Sequence, residues 1–330
     1  MMTKEERIRA AFKRVALDRV PVALWRHFPG DDQNPERLAQ ATLAFQERFD
    51  FDFIKVSPSN AFCAADWGSK TIYRGSENGT REYIEYAIKE AEGWQRLKPL
   101  DVTRGVLGGQ LKCLRLLHRE IGRRVPFIQT VFNPLMVAKY LAGPEFIVHL
   151  RRYPQEFESA LSVIGETMSD FAREAIRAGA DGIFLAVQHA SYDLLSESEY
   201  RQFGTPYDLQ ILEAASDGWF NLLHIHGQKI MFDLLSNYPV QAVNWHTRTT
   251  PPTLREAQGR FSGALVGGLG RWDPLVYGSP EDVKAQVKEA IAQTEGRGLI
   301  IGPGCVVPIT APEMNIRAAR EAVELPTDCR

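Results

Sequence analysis

Short apolar runs alternate with longer stretches of helical periodicity along most of the chain. The runs fall at 20–25, 51–56, 126–131, 181–187, at the segment ending in His224 and His226, and at 242–246, 264–267 and 298–301. Between them, apolar residues recur at helical spacing: after Thr3, which with Glu6 forms a capping box, then over 35–49, 104–121, 154–178, 197–215, 280–292 and 312–322. Near-continuous apolar strands separated by helices are the mark of a parallel sheet buried on both faces. Eight such units predict a closed (β/α)8 TIM barrel in one domain over 1–330. The pattern breaks at 57–100, where Thr71-Ile72-Tyr73, a turn at Ser76-Glu77-Asn78-Gly79 and Glu82–Tyr86 read as a β-hairpin insertion after the second strand. No GxGxxG or GxxxxGK[ST] motif supports a nucleotide-binding open sheet.

Composition narrows the function classes. With 39 basic and 41 acidic residues the formal net charge is -2, which gives no electrostatic case for nucleic acid or an anionic membrane. No run approaches the roughly 18 apolar residues of a membrane span. Cys63, Cys113, Cys305 and Cys329 are far apart and form no CxxC pair, so they read as reduced thiols in a cytoplasmic protein, with Cys329 incidental. The charged N-terminal segment lacks the apolar core of a signal peptide.

A barrel's chemistry sits at the C-terminal ends of its strands, which gathers scattered polar residues into one place. Strand ends supply Arg26 and His27, Ser57 and Ser59, Asn133, His189, His224 and His226, His246, Arg271 with Asp273, and finally Cys305. Five of the seven histidines therefore converge on one rim, while His118 and His149 fall on helices. His224 and His226, spaced i, i+2, share a strand face, and Cys305 follows the Gly302-Pro303-Gly304 turn of the last strand. Two imidazoles and a thiolate can hold Zn2+ with a fourth position open; the same histidines could also serve as hydrogen-bonding pocket residues. Arg26, His27, Asn133, His189 and His246 are the candidates for orienting a substrate, Arg26 by pairing with an anion. Asp181 is expected at the opposite, structural face, and Trp25, Trp245 and Trp272 near the rim could wall a flat ligand.

Five segments in this order resemble the uroporphyrinogen decarboxylase superfamily: Asp18-Arg19-Val20-Pro21-Val22, Gly179-Ala180-Asp181, Leu223-His224-Ile225-His226-Gly227, Ser279-Pro280-Glu281-Asp282-Val283, and Gly304-Cys305-Val306-Val307-Pro308 running to Ile316. The resemblance covers nearly the whole chain and implies a (β/α)8 barrel, often dimeric. It also separates two branches. True decarboxylases carry two arginines in an N-terminal R-Q-A-G-R segment, which here reads Arg26-His27-Phe28-Pro29-Gly30. Their pyrrole-gathering aspartate would fall near Ser59, and their C-terminal G-H-G is Gly302-Pro303-Gly304. These three departures argue against decarboxylation, which remains the alternative activity; a non-catalytic corrinoid- or ligand-binding barrel is the second alternative.

The cobalamin-dependent methyltransferase branch places zinc on H-x-C at the fifth strand and on a cysteine after the last G-x-G turn. His224 and Cys305 fall on two of those positions, and His226 stands where the branch has cysteine. The resemblance implies a zinc-dependent methyl or alkyl transferase using methylcobalamin, either free or on a separate corrinoid protein. Replacing one thiolate by imidazole leaves the site at +1, which lowers the pKa of a bound thiol or water further and weakens the resulting thiolate as a nucleophile. The acceptor expected from this is something other than the usual thiol of the branch, or an oxygen substrate that zinc orients and polarises.

Overall fold

A computed structural model describes residues 1–324, so Cys329 lies outside the described residues. Seven parallel strands follow one another around the sheet: β1 (Ile54–Val56), then, beyond the insertion's antiparallel pair β2 (Lys70–Ile72) and β3 (Glu82–Glu85), β4 (Phe127–Phe132), β5 (Gly182–Val187), β6 (Leu222–Ile225), β7 (Ala242–Trp245), β8 (Ala264–Leu269) and β9 (Leu299–Pro303). The eighth stave is the 20–25 segment. It meets β9 through the parallel bridge Val22–Ile301, with the Ala23 amide donating to Ile301 and the Ile301 amide to Pro21. On its other side the Val22 carbonyl accepts from the Asp52 amide. Pro21 has no amide hydrogen to give, and this stave makes a bridge where a ladder was expected. The barrel is closed nonetheless.

Every residue of β4, β5, β6, β7, β8 and β9 is buried, as a barrel sheathed in helices requires. Inside, an aromatic column runs from the first helix, Lys4–Phe12, toward the rim. Phe12 packs edge-on against Phe220 (5.0 Å), Phe220 against Phe53 (4.8 Å), Trp25 against Phe53 and Phe184 (6.1 and 5.6 Å), and Phe184 stacks on His224 at 5.3 Å. Each buried ring of this kind contributes about 1.5–3 kcal/mol by leaving water, so the histidine strand rests on a stiff floor. The Asp18-Arg19 motif lies at the closed end. Buried Asp52 accepts from Arg7 and Arg19 and from the Val22 amide, all at 2.7–2.8 Å, tying the N-terminal helix to the first stave. Asp181 belongs to the same structural face, accepting from the Phe127 amide and from Trp219 Nε1.

The Thr3–Glu6 capping box is present. One expected helix is two: Glu197–Phe203 and Thr205–Ala214 break at Gly204, because Pro206 cannot donate into a continuous helix. Among the described residues no helix is long and apolar enough to cross a membrane.

Candidate metal centre

Adjacent strands build the centre. Parallel pairing of β6 and β7 sets His224 opposite Asn244. Two residues beyond each of these strand positions, His226 Nδ1 and His246 Nε2 lie 3.2 Å apart. From β9, the turn at Gly304 brings in Cys305. A Cβ at Gly304 would stand 3.0 Å from the His246 Cα, so only glycine lets the two loops approach this closely. The result is a group of four donor residues, His224, His226, His246 and Cys305, each offering one ligand atom, all within 4.8 Å of one another.

The hydrogen bonds around His224 fix its tautomer. Asn244 Nδ2 donates to the carbonyls of Val266 and Pro303 at 2.8 and 3.0 Å, so its Oδ1 must be the atom facing His224. His224 Nδ1 lies 2.6 Å from that oxygen and is therefore the protonated nitrogen. This leaves Nε2 with a bare lone pair, buried and without a hydrogen-bond partner. A buried acceptor with nothing to accept is costly, and a cation is what this one is shaped to meet. The neighbouring donors agree. In tetrahedral zinc sites the donor atoms stand about 3.3–3.8 Å from one another, within the reach of side-chain adjustments here. The residues therefore fit zinc.

Electrostatics point the same way. Burial alone would push the Cys305 thiol up, but the three imidazoles of His224, His226 and His246 gathered around it hold it well below the usual thiol range. Burial lowers His224 and so favours the neutral imidazole that a metal needs. Burial pushes Cys63, away from this group, well above the usual thiol range and Cys113 up to about 12, so both are inert by contrast.

The expected substrate residues divide. His27 faces inward, buried, with Nδ1 3.0 Å from the Pro58 carbonyl; burial lowers it to about 4, aided by the charges of Lys55 and Arg271. His189 is buried edge-on to Phe146 at 4.8 Å, with Nδ1 unpartnered, and burial lowers it to about 3, with Lys139 and His226 adding to the effect. Arg26 alternates away from His27 and points outward. Its guanidinium sits 5.5 and 5.4 Å from the Phe28 and Phe45 rings, beneath the helix Pro35–Phe49. Asn133 is spent on structure: Oδ1 caps the helix Pro134–Ala142 through the Met136 amide, and Nδ2 donates to buried Asp208 at 3.0 Å. Trp25 lies in the core column and Trp245 is fully buried with Nε1 bonded to Thr250 and Pro252 carbonyls, so of the three tryptophans only Trp272, stacked on Tyr277, is at the rim.

The hairpin insertion crosses the mouth. The Glu77 carbonyl accepts from Ile309, Asn78 Oδ1 from Arg271, and Arg81 binds Asp32 and the Pro29 carbonyl. Gly79, at φ +72°, packs on His27 so closely that a Cβ would lie 2.8 Å from the histidine's own.

Three contributors were not anticipated. Asn244 orients His224, Phe184 floors it, and Lys55 stands inside the barrel with Nζ 4.7 Å from the Phe184 ring. Lys55 carried a legible signal, being a lone cation one residue from the end of an apolar run.

A closed parallel barrel with a His/Cys centre on its C-terminal rim defines a (β/α)8 protein of the enzyme-bearing kind. The family model for uroporphyrinogen decarboxylase (URO-D) matches residues 3–325, and the chain belongs to that family. Relatives include the methylcobamide:CoM methyltransferase MtbA of Methanosarcina mazei, 22% identical with 98% of each chain covered. Another is the methylcobamide:CoM methyltransferase MtaA of Methanosarcina barkeri (strain Fusaro), 25% identical over 96% of each. The uroporphyrinogen decarboxylase of Syntrophotalea carbinolica is 28% identical over 85% of this chain and 82% of its own. A solved methyltransferase from Methanosarcina mazei superposes with a TM-score of 0.86 at 21% identity, covering 98% of this chain and 99% of that one, which establishes the fold.

Proposed function

We propose that this chain is a zinc-dependent methyltransferase that moves a methyl group from a corrinoid, free or carried by a separate protein, to a small nucleophilic acceptor. The observation that carries the reading is the unsatisfied Nε2 of His224, aimed at a group that also contains His226, His246 and Cys305. The full-length likeness to methylcobamide:CoM methyltransferases supports the donor class.

His224, His226 and Cys305 would hold the metal, with Asn244 fixing the His224 ring. Zinc bound there would supply Lewis acidity, lowering the pKa of an acceptor at its open position. His246 is assigned the acceptor's proton, its Nε2 lying 3.2 Å from His226 Nδ1 in the same group. The methyl group would pass as a methyl-cation equivalent to the acceptor's lone pair, the electron pair of the broken cobalt–carbon bond staying with the corrinoid, while His246 takes the acceptor's proton and releases it to solvent. His27 and His189, both held neutral by burial, would orient the acceptor without adding charge. The hairpin turn at Gly79 screens the mouth from water.

The test is methyl transfer from methylcobalamin to a panel of small thiols and alcohols, followed by the loss of the methylcobalamin spectrum. Transfer that is abolished by a chelator and restored by zinc supports the reading. Chelator-insensitive loss of carboxylates from uroporphyrinogen, with no transfer to any acceptor, would replace it with the decarboxylase activity.

A further inference from the structure

Two of the sheath helices, Pro154–Arg177 and Thr205–Ala214, lie side by side on the outside of the barrel, and their seam opens over one stretch. They run in the same direction and in step. The Tyr207 hydroxyl donates to the Glu158 carbonyl at 3.2 Å, and a Cβ at Gly165 would stand 3.0 Å from Gln210 Oε1. Past the end of the second helix, a Cβ at Gly218 would stand 3.0 Å from Ile176 Cδ1. Between these close approaches, Ser169, Ala214 and Ser216 are too small to fill the seam, and a groove of about 380 Å³ is left.

Carboxylates line both walls. Glu166 and Asp170 stand on the first helix, Glu213 and Asp217 at the end of the second and just beyond it, and Arg173 is the one cation among the lining residues. Arg173 pairs with Asp170 on its own helix. Exposed acids alone would mark no site, since water satisfies them. Ser169 is the feature that does. It is 4% exposed and lines the groove, but its Oγ has no hydrogen-bond partner. A serine inside a helix commonly bonds back to the carbonyl four residues earlier, as Ser162 does to Glu158 at 3.1 Å. Ser169 makes no such bond, and the groove is the side from which a partner can reach it. Among the described residues these carboxylates do not bring three oxygens within 4.8 Å of one another, as a single metal ion would require. Glu166 and Asp170 are instead one turn apart, about 6 Å along the helix axis. Separated anions of this kind match a cation whose charges are also separated.

We propose that this groove is a binding site for a linear alkane-diammonium ion, with butane-1,4-diamine, whose four-carbon spacer suits a separation of about 6 Å, as the basic unit. The in-step packing sets two levels for its ends. One ammonium meets Glu166 and the Gln210 amide oxygen, and the other meets Asp170 and Glu213, taking the place of Arg173. Each ammonium has three donors to distribute, and Ser169 Oγ accepts one of them. The methylenes lie along Ala214. Asp217, further along the groove, would receive a third ammonium in a longer polyamine. None of these residues belongs to the His/Cys centre, so the site stands apart from the function proposed above.

The experiment is calorimetry on the full chain at low ionic strength, with butane-1,4-diamine, butylamine and Mg2+ as probes. The diamine should saturate one site and bind about tenfold or more tightly than butylamine or Mg2+, because both of its ends are held. Added salt should weaken it, since surface charges are screened. The double variant Glu166→Gln, Glu213→Gln should lose about tenfold or more in diamine affinity. Ser169→Ala should lose affinity several-fold with an unchanged melting temperature, since the hydroxyl it removes has no partner in the protein. Arg173→Gln takes away the cation that competes for Asp170 and should bind the diamine more tightly than wild type, a gain that a poorly folded variant cannot imitate. The same loss of charge at the two ends of the helix Pro280–Thr294, in Glu281→Gln with Glu295→Gln, should leave the affinity unchanged. Absence of saturable binding, equal affinity for butylamine or Mg2+, or an equal loss in the Glu281 and Glu295 variant overturns the proposal. Wild-type affinity in both Ser169→Ala and Arg173→Gln overturns it as well.

Discussion

His224 Nδ1 lies 2.6 Å from Asn244 Oδ1, and that contact decides which nitrogen of the histidine faces the His/Cys centre. Asn244 cannot rotate to offer its amide instead, because both of its N–H groups are held by carbonyls of neighbouring staves. Partners of this kind fix ring orientation in metal sites, and losing one costs about 10–100-fold in metal affinity. Asn244→Ala should therefore weaken zinc binding by about that factor in a chelator competition. Unaltered affinity would mean that the ring is held by something else.

His246 is separable from the ligands by experiment. If it accepts the acceptor's proton, His246→Ala keeps stoichiometric zinc and loses about 10²–10⁴ in transfer rate, the usual contribution of a general base. A variant that loses its zinc instead would make His246 a fourth ligand, which its position in the group of four also permits.

Acid should destabilise the protein through its buried neutral histidines. Burial lowers His189 to about 3 and His27 to about 4, both below the ordinary histidine value. Between that value and the folded pKa the unfolded chain binds more protons than the folded one, so stability is present at neutral pH and falls as pH drops. Denaturant unfolding at pH 7 down to 4 should show this slope. His189→Gln should flatten it by up to about 1.4 kcal/mol per pH unit; parallel curves for the two proteins would contradict the assignment.

The hairpin's seat on the mouth depends on one glycine. Gly79→Ala places a side chain at φ +72° and 2.8 Å from the His27 Cβ, with Ile309 3.0 Å away. The left-handed backbone alone costs about 1–2 kcal/mol, and the contacts add to it. The melting temperature should fall and proteolysis within 70–85 should accelerate. An unchanged melting temperature would show that the turn does not rest on the rim.

The periodicity of apolar runs was enough to read the barrel, since strands buried on both faces and sheathed by helices leave few other patterns. It also read the insertion, whose alternating Thr71-Ile72 and Tyr83-Ile84 differ from the solid apolar staves. What it could not supply was side-chain direction at strand ends, where alternation decides everything. Arg26 and His27 are adjacent, and one faces Phe45 while the other faces the interior. Asn133 looked like a rim residue because helix N-caps follow strands directly in this fold, and its polar groups went to the cap and to Asp208. Asn244 and His246 are two residues apart and share a face as His224 and His226 do, but only the β6–β7 register shows that the two pairs meet.

Metal content of the purified chain tests the central claim most directly. Zinc should be present at one equivalent in the wild type and absent from the His226→Ala, Cys305→Ala double variant, measured by elemental analysis after dialysis. A wild type that binds no zinc, or a double variant that keeps a full equivalent, would contradict the proposed centre.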